Sequence, residues 1–162
     1  MKYLEINKCD AANGPGIRIS LWPSGCNIHC EGCHNKGSWN PERGKDFSAE
    51  TMEEILTLLE PDYIAGLSIL GGDPMFPDNR ESICEICKTT KEKYPNKDIW
   101  IWTGYNFETV KDEPAMKYID YCVDGPFILA QRDVTLKFRG SRNQRIIDVQ
   151  KSLKENETKE LP

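Results

Sequence analysis

Apolar positions along the chain fall into short runs whose period switches between that of a strand and that of a helix, and the switches predict alternating elements. Ile17-Arg-Ile-Ser-Leu-Trp22 alternates and is rich in β-formers, which predicts a strand running directly into Pro23-Ser-Gly-Cys26. Between Ser48 and Glu60 the side chains of Met52, Ile55, Leu56 and Leu59 share one helical face, with Ser48 as the N-cap and Pro61 as the stop. Ile64 to Leu70 is a mostly apolar run, as expected of a strand buried on both faces, and it ends in Gly71-Gly72-Asp73-Pro74. A second helix is expected from Asp78 or Asn79 to Tyr94, closed by Pro95-Asn96. The apolar strand Ile99-Trp-Ile-Trp102 follows and ends in Thr103-Gly104-Tyr105. A weaker helical piece lies within Asn106 to Lys117, and Tyr118 to Asp124 reads as a fourth strand stopping at Gly125-Pro126-Phe127. After Asp148 the chain becomes rich in Lys, Glu and Asn, so the domain is expected to span residues 1–148, with 149–162 a polar C-terminal tail that frays at its end.

Strands alternating with helices imply right-handed crossovers and a parallel sheet. In such sheets sites form at the C-terminal ends of the strands, and the four glycine- or cysteine-containing segments each follow a predicted strand end. One fold therefore places all four on the same rim. The expected class is α/β. A closed eight-unit barrel takes roughly 250 residues, so a chain of 162 residues predicts a partial, laterally open (β/α) barrel of about five to six mostly parallel strands. An open side would admit a large substrate.

The formal net charge of −5 argues against nucleic acid as the main partner. No run approaches membrane-span length and the first residues lack an apolar signal core, so no membrane association and a cytoplasmic location are expected. Seven cysteines, with three crowded into one loop, suit a reducing compartment and metal or redox chemistry better than disulfides.

That loop carries the strongest chemical signal. Cys26, Cys30 and Cys33 are spaced Cys-x3-Cys-x2-Cys, three thiolates where a closed site wants four, so a cluster held here would leave one iron open. The alternative is structural zinc, with His29 or His34 as fourth ligand; otherwise His29 reads as an exposed loop residue. Cys84 and Cys87 share helical spacing with Ile83 and Ile86 and read as small buried hydrophobes, as do Cys9 and a strand-borne Cys122. Gly71-Gly72-Asp73-Pro74 alone is a turn signal, but after a buried strand and downstream of the cysteines it reads as a ligand-binding rim. Trp22, Trp100 and Trp102 are expected to pack in the core.

The cysteine trio and Gly71-Gly72-Asp73-Pro74 resemble the cluster loop and the methionine-holding segment of the radical S-adenosylmethionine enzymes. Asn13-Gly-Pro-Gly16, Gly32-Cys33-His34-Asn35, Asp124-Gly-Pro-Phe127 and Phe138-Arg-Gly-Ser-Arg-Asn-Gln-Arg145 narrow the resemblance to the activating proteins of anaerobic (class III) ribonucleotide reductase, over residues 1 to 148. Gly32, where the wider superfamily usually has an aromatic, is similar to that subgroup; His34 or Tyr105 is then a candidate to cover the adenine. The resemblance implies a partial barrel of the radical S-adenosylmethionine type, with a [4Fe-4S] cluster on Cys26, Cys30 and Cys33. It implies S-adenosyl-L-methionine bound by Gly32, Cys33, His34, Gly71, Gly72 and Asp73, with Asp73 either orienting the turn or accepting from the ammonium.

The implied reaction is reductive cleavage to a 5′-deoxyadenosyl radical that creates a glycyl radical. Its implied partners are the large subunit of the anaerobic reductase and an electron donor such as flavodoxin or ferredoxin. Arg139, Arg142 and Arg145 are expected to meet the ligand carboxylate or the partner. A bulky residue at Gly72 is expected to weaken cofactor binding while leaving cluster iron unchanged. Other small radical enzymes, of the pyruvate formate-lyase activator or 7-deazaguanine synthase type, and a non-enzymatic iron–sulfur or zinc module remain the alternatives.

Overall fold

The computed structural model describes residues 1–162. Its strands are β1 (Lys2–Asp10), β2 (Ile17–Pro23), β3 (Lys45–Asp46), β4 (Ile64–Ile69), β5 (Asp98–Trp102), β6 (Tyr121–Asp124) and β7 (Arg145–Asp148). The helices are α1 (Ala49–Leu59), α2 (Arg80–Lys93), the single turn α3 (Phe107–Val110) and α4 (Val149–Glu155). One open sheet joins all seven strands in the order β3-β1-β2-β4-β5-β6-β7.

The alternating core of the chain builds the centre of that sheet. β2, β4, β5 and β6 are mutually parallel, joined by crossovers that carry α1, α2 and α3. At the edges the pairing changes: β1 runs antiparallel to both β2 and β3, and β7 runs antiparallel to β6. The sheet is thus larger than the expected five to six strands, and half its pairings are antiparallel. The added strands lie outside the parallel centre and lack the apolar runs that mark it: β1 buries only Tyr3 and Asp10, β3 is exposed, and β7 buries just Ile146 and Ile147.

Period-two alternation divides the sheet cleanly. Ile19 and Leu21, Leu67 and Ile69, Ile99 and Ile101, Cys122, and Ile147 face the helices and join the main core with Ile55 and Leu59 of α1 and Ile83, Ile86 and Cys87 of α2. Helix α1 begins with a reciprocal cap, in which Thr51 N–H donates to Ser48 Oγ and Ser48 N–H donates to Thr51 Oγ1 at 3.1 Å. The opposite face presents Arg18, Ser20, Trp22, Ser68, Trp100, Trp102, Val123 and Ile146. Only Trp100, Val123 and Ile146 form a small buried cluster there, and Trp22 and Trp102 are half-buried at the rim instead of in the core. Cys84 is half-buried on α2, as its spacing implied, whereas Cys9 lies exposed on β1.

Arg18 is fully buried on this inner face. Its guanidinium donates to Ser68 Oγ at 2.7 Å and to the carbonyls of Pro15 and Leu67, and it pairs with Asp98 at 2.7 Å. Ser68 Oγ in turn donates to the Asn13 carbonyl at 2.6 Å. The Asn13-Gly-Pro-Gly16 turn is therefore fastened to the sheet by a buried cation.

The expected fourth strand starts only at Tyr121, because Pro114–Tyr118 winds into a 3-10 turn. The end of the chain does not fray: Val149 is buried, Asn156 turns the chain back in a left-handed conformation, and Leu161 N–H donates to the Ile146 carbonyl at 2.7 Å. Residues 159–161 thereby cover the outer edge of β7, and Leu161 packs on the Trp100 cluster.

Removing the buried cation leaves Asp98 and three oxygens without their donor. Arg18→Ala is expected to lose about 3 kcal/mol in anaerobic urea unfolding of the cluster-free protein; a loss well below about 1 kcal/mol would show that these acceptors find other partners.

Candidate functional site

The C-terminal end of β2 leads into a loop held at its base by main-chain bonds. Gly25 N–H donates to the Ser38 carbonyl at 2.7 Å, Cys26 N–H to that of Trp39 at 3.2 Å, and buried Ser24 Oγ to that of Arg43 at 2.6 Å. Beyond this base the chain coils tightly: Cys33 N–H donates to the Cys30 carbonyl, and His29 and Gly32 take left-handed conformations. His29 stacks on Trp39 at 4.2 Å and its Nε2 donates to the Cys26 carbonyl at 2.7 Å, so this ring braces the loop.

All three cysteines are free, half-buried, and line one cavity of about 490 Å³, a volume suited to a cofactor-sized ligand. Burial raises the Cys26 and Cys30 thiols above their ordinary range, while backbone N–H groups of Ile28 and His29 toward Cys26, and of Phe127 toward Cys30, oppose it. Asn35 N–H donates to Cys33 Sγ at 3.4 Å. A hydrogen bond of this kind supports thiolate charge on Cys33 and tunes a metal-bound thiolate. No three His, Cys, Asp or Glu side chains are gathered to hold a single ion. The His29 ring is engaged with the Cys26 carbonyl and Trp39, which removes one of the two histidines offered as a fourth zinc ligand.

The glycine rim lies directly against this loop. Gly72 N–H donates to the Pro23 carbonyl and Asp73 N–H to that of Gly25, both at 2.8 Å. A Cβ on Gly72 would lie 2.4 Å from the Gly25 oxygen, so glycine is required there by the neighbouring backbone, whatever ligand the cavity takes. Asp73 is buried, and both carboxylate oxygens are engaged: Oδ1 accepts from Met75 N–H and Thr103 Oγ1, and Oδ2 from Gly104 N–H, each at 2.8 Å. Burial outweighs these bonds and pushes its pKa up to about 6. Of the two roles open to Asp73, its geometry matches the orienting one, and the same bonds make Thr103-Gly104 part of the wall.

Gly71, Gly72, Asp73, Cys26, Cys30, Cys33 and His34 all face the cavity. Gly32 does not; it packs on the segment after β6, where a Cβ would come within 3.0 Å of Leu129. Tyr105 also lies off the wall, its hydroxyl donating to Asn27 Oδ1 at 2.7 Å, which leaves His34 as the better placed of the two expected adenine neighbours. Sequence reading missed most of the aromatic wall, formed by Trp22, Trp39, Trp102, Phe127 and Phe138. Trp22 and Trp102 already close their expected strands, where alternation sets them on the face opposite Leu21 and Ile101; what it could not show is that this face opens into a cavity. Phe138, held at a positive φ with its carbonyl accepting from Trp102 Nε1 at 2.6 Å, left no such signal. The arginine run separates: Arg139 lines the cavity, Arg142 is exposed, and Arg145 pairs with buried Asp124 and with Glu108.

Comparison with known proteins agrees with this geometry. A family described as a 4Fe-4S single cluster domain matches residues 12–147. The chain is 43% identical over 148 residues to the anaerobic ribonucleoside-triphosphate reductase-activating protein of Enterobacteria phage T4, covering 90% of this chain and 93% of that one. Its identity to the proteins of the same name is 40% in Vibrio cholerae serotype O1 and 36% in Escherichia coli strain K12, in each case over 89% of this chain and 96% of the relative.

The contact between Gly72 and Gly25 changes what a substitution should do. Gly72→Leu is expected to displace the base of the cysteine loop, so reconstituted iron content falls together with cofactor binding; iron per chain on anaerobic reconstitution reads this directly. Iron at the wild-type level would show that the rim and the loop move independently.

Proposed function

This chain belongs to the family of anaerobic ribonucleoside-triphosphate reductase-activating proteins, and from that premise we propose that it is a radical S-adenosylmethionine enzyme that places a glycyl radical on the large subunit of its reductase. The observation that carries the reading is the single cavity shared by Cys26, Cys30, Cys33 and the Gly71-Gly72 rim. A simple electron carrier closes its cluster with four protein ligands and needs no cavity beside it.

In this reading Cys26, Cys30 and Cys33 would hold a [4Fe-4S] cluster and leave one position free for S-adenosyl-L-methionine. When bound, the two together would supply the chemistry of reductive C5′–S cleavage and of hydrogen abstraction from a glycine Cα of the reductase. The chain's own part is geometric and electrostatic. The backbone N–H of Asn35 supports the Cys33 thiolate. Asp73 locks the Thr103-Gly104 turn to the rim, so the Gly71-Gly72 backbone stands still beside the ligand. Trp22, Trp102, Phe127 and Phe138 keep water from the reacting atoms, with His34 toward the adenine. Arg139 places a guanidinium on the same wall.

We read the open sheet as a partial barrel of the radical S-adenosylmethionine type. Residues 1–148 form that domain and 149–162 are its closing segment. The open side suits a substrate that is a loop of another protein. Seven free cysteines fit a reducing cytoplasm, where flavodoxin or ferredoxin would serve as donor, and no helix is long and apolar enough to cross a membrane.

The test is anaerobic electron paramagnetic resonance of the reconstituted protein with reductant, S-adenosylmethionine and its reductase subunit. Expected are methionine release and a persistent glycyl signal, both lost in Cys30→Ala together with the cluster. A normal cluster and normal cleavage in Cys30→Ala would overturn the assignment of the loop; methionine release with no glycyl signal would overturn the substrate.

A further inference from the structure

Between β6 and β7 the chain makes an excursion over residues 125–144 that lies against the cysteine loop. Its inner side forms cavity wall through Phe127, Leu136, Phe138 and Arg139. Leu129 packs on Gly32 within the cysteine loop. Its outer side is unlike the rest of the surface. Of the chain's four large exposed hydrophobic residues, three are here, with Val134 83% exposed and Leu129 45% exposed beside Ile128. Around them stand Arg132, Lys137 and Arg142, all exposed and none in an ion pair, in an excursion with four cations against the single anion Asp133, on a chain whose net charge is −5.

The excursion is also rigid before any partner arrives. Gln144 Nε2 donates to the Gly125 carbonyl, Asn143 Nδ2 to that of Pro126, Arg142 N–H to that of Gln131, and Gly140 N–H to Gln144 Oε1, at 2.7 to 3.1 Å. A preformed surface loses little freedom on association, and exposed apolar groups ringed by like charge are the composition of a docking patch for a surface of opposite sign.

Resting on the function proposed above, we propose that the outer face of this excursion, Ile128, Leu129 and Val134 with Arg132, Lys137 and Arg142, is the seat for an acidic face of the reductase subunit. Continuity with the cavity wall decides the occupant. A protein seated on this lip has its nearest loop at the cavity mouth, where a glycine Cα must enter; a donor needs only tunnelling distance to the cluster and no access to the cavity.

The test uses the full-length reconstituted enzyme, its reductase subunit and a chemical reductant, so that no protein donor is needed. Arg132→Glu/Lys137→Glu and, separately, Val134→Asp are expected to keep wild-type cluster content and wild-type methionine release in the absence of reductase, since these side chains lie outside the cavity. The apparent affinity for the reductase, read from glycyl signal against reductase concentration, should weaken about tenfold, and the double variant should lose most of the wild type's salt dependence. Tyr63→Asp, which places a charge on the fourth exposed hydrophobic residue just before β4, at the opposite end of the strands, should change nothing. Wild-type affinity in both lip variants, or weakening in Tyr63→Asp alone, overturns the surface. Defects that appear only when flavodoxin replaces the chemical reductant assign the lip to the donor and overturn it as well. Absence of methionine release in the wild-type protein would instead overturn the reading on which the proposal rests.

Discussion

At the end of β4 the backbone of Gly72 passes so close to Gly25 that no side chain fits between them, and the position of the cysteine loop follows from that approach. Two main-chain bonds tie residues 72 and 73 to 23 and 25, one residue short of Cys26. The buried Asp73 carboxylate then gathers N–H and O–H donors from Met75, Thr103 and Gly104, so the ends of β2, β4 and β5 are held as one piece. A carboxylate that is desolvated and fully bonded cannot drift without leaving donors unmatched, which makes this cluster of contacts stiff. The three thiols of the loop are held by that stiffness at one cavity wall.

The sheet serves two solvents at once. Its helix side is a continuous aliphatic core, while its other side holds a buried guanidinium, serines and tryptophans and opens into the cavity. Arg18 is the deepest of these polar groups. Its bonds reach β4, β5 and the Asn13 turn together, so burial of one cation fixes the wall on which Ala12 and Asn13 sit. The cavity is thus walled by main-chain turns braced from behind, and by aromatic residues at strand ends in front.

On the side away from β1, the wall is not sheet at all. The 125–144 excursion supplies it, with one surface toward the cysteines and the other, basic and apolar, toward solvent. The edge of β7 just beyond it is covered by residues 159–161, so no unpaired strand is left there for another chain to extend.

Local chemistry in the sequence determined the parallel centre of the sheet, the two long helices, the cap at Ser48 and the crowding of three thiols into one turn. Periodicity and capping act over a few residues, and those residues are adjacent in the chain. β1, β3 and β7 escaped because a strand with few buried apolar residues is specified by the partner it pairs with, and the run Arg145-Ile-Ile-Asp148 is too short to announce itself. The orienting role of Asp73 was legible only as one of two, and the roles of Arg18 and Gly72 were out of reach: Asp73 finds Thr103 thirty residues on, and Arg18 finds Ser68 fifty residues on. Such contacts depend on the register and twist that bring separate strand ends together, where a slip of one residue would exchange the core face for the cavity face. The crowding of the three thiols was written locally; what holds them still was decided only by the tertiary structure.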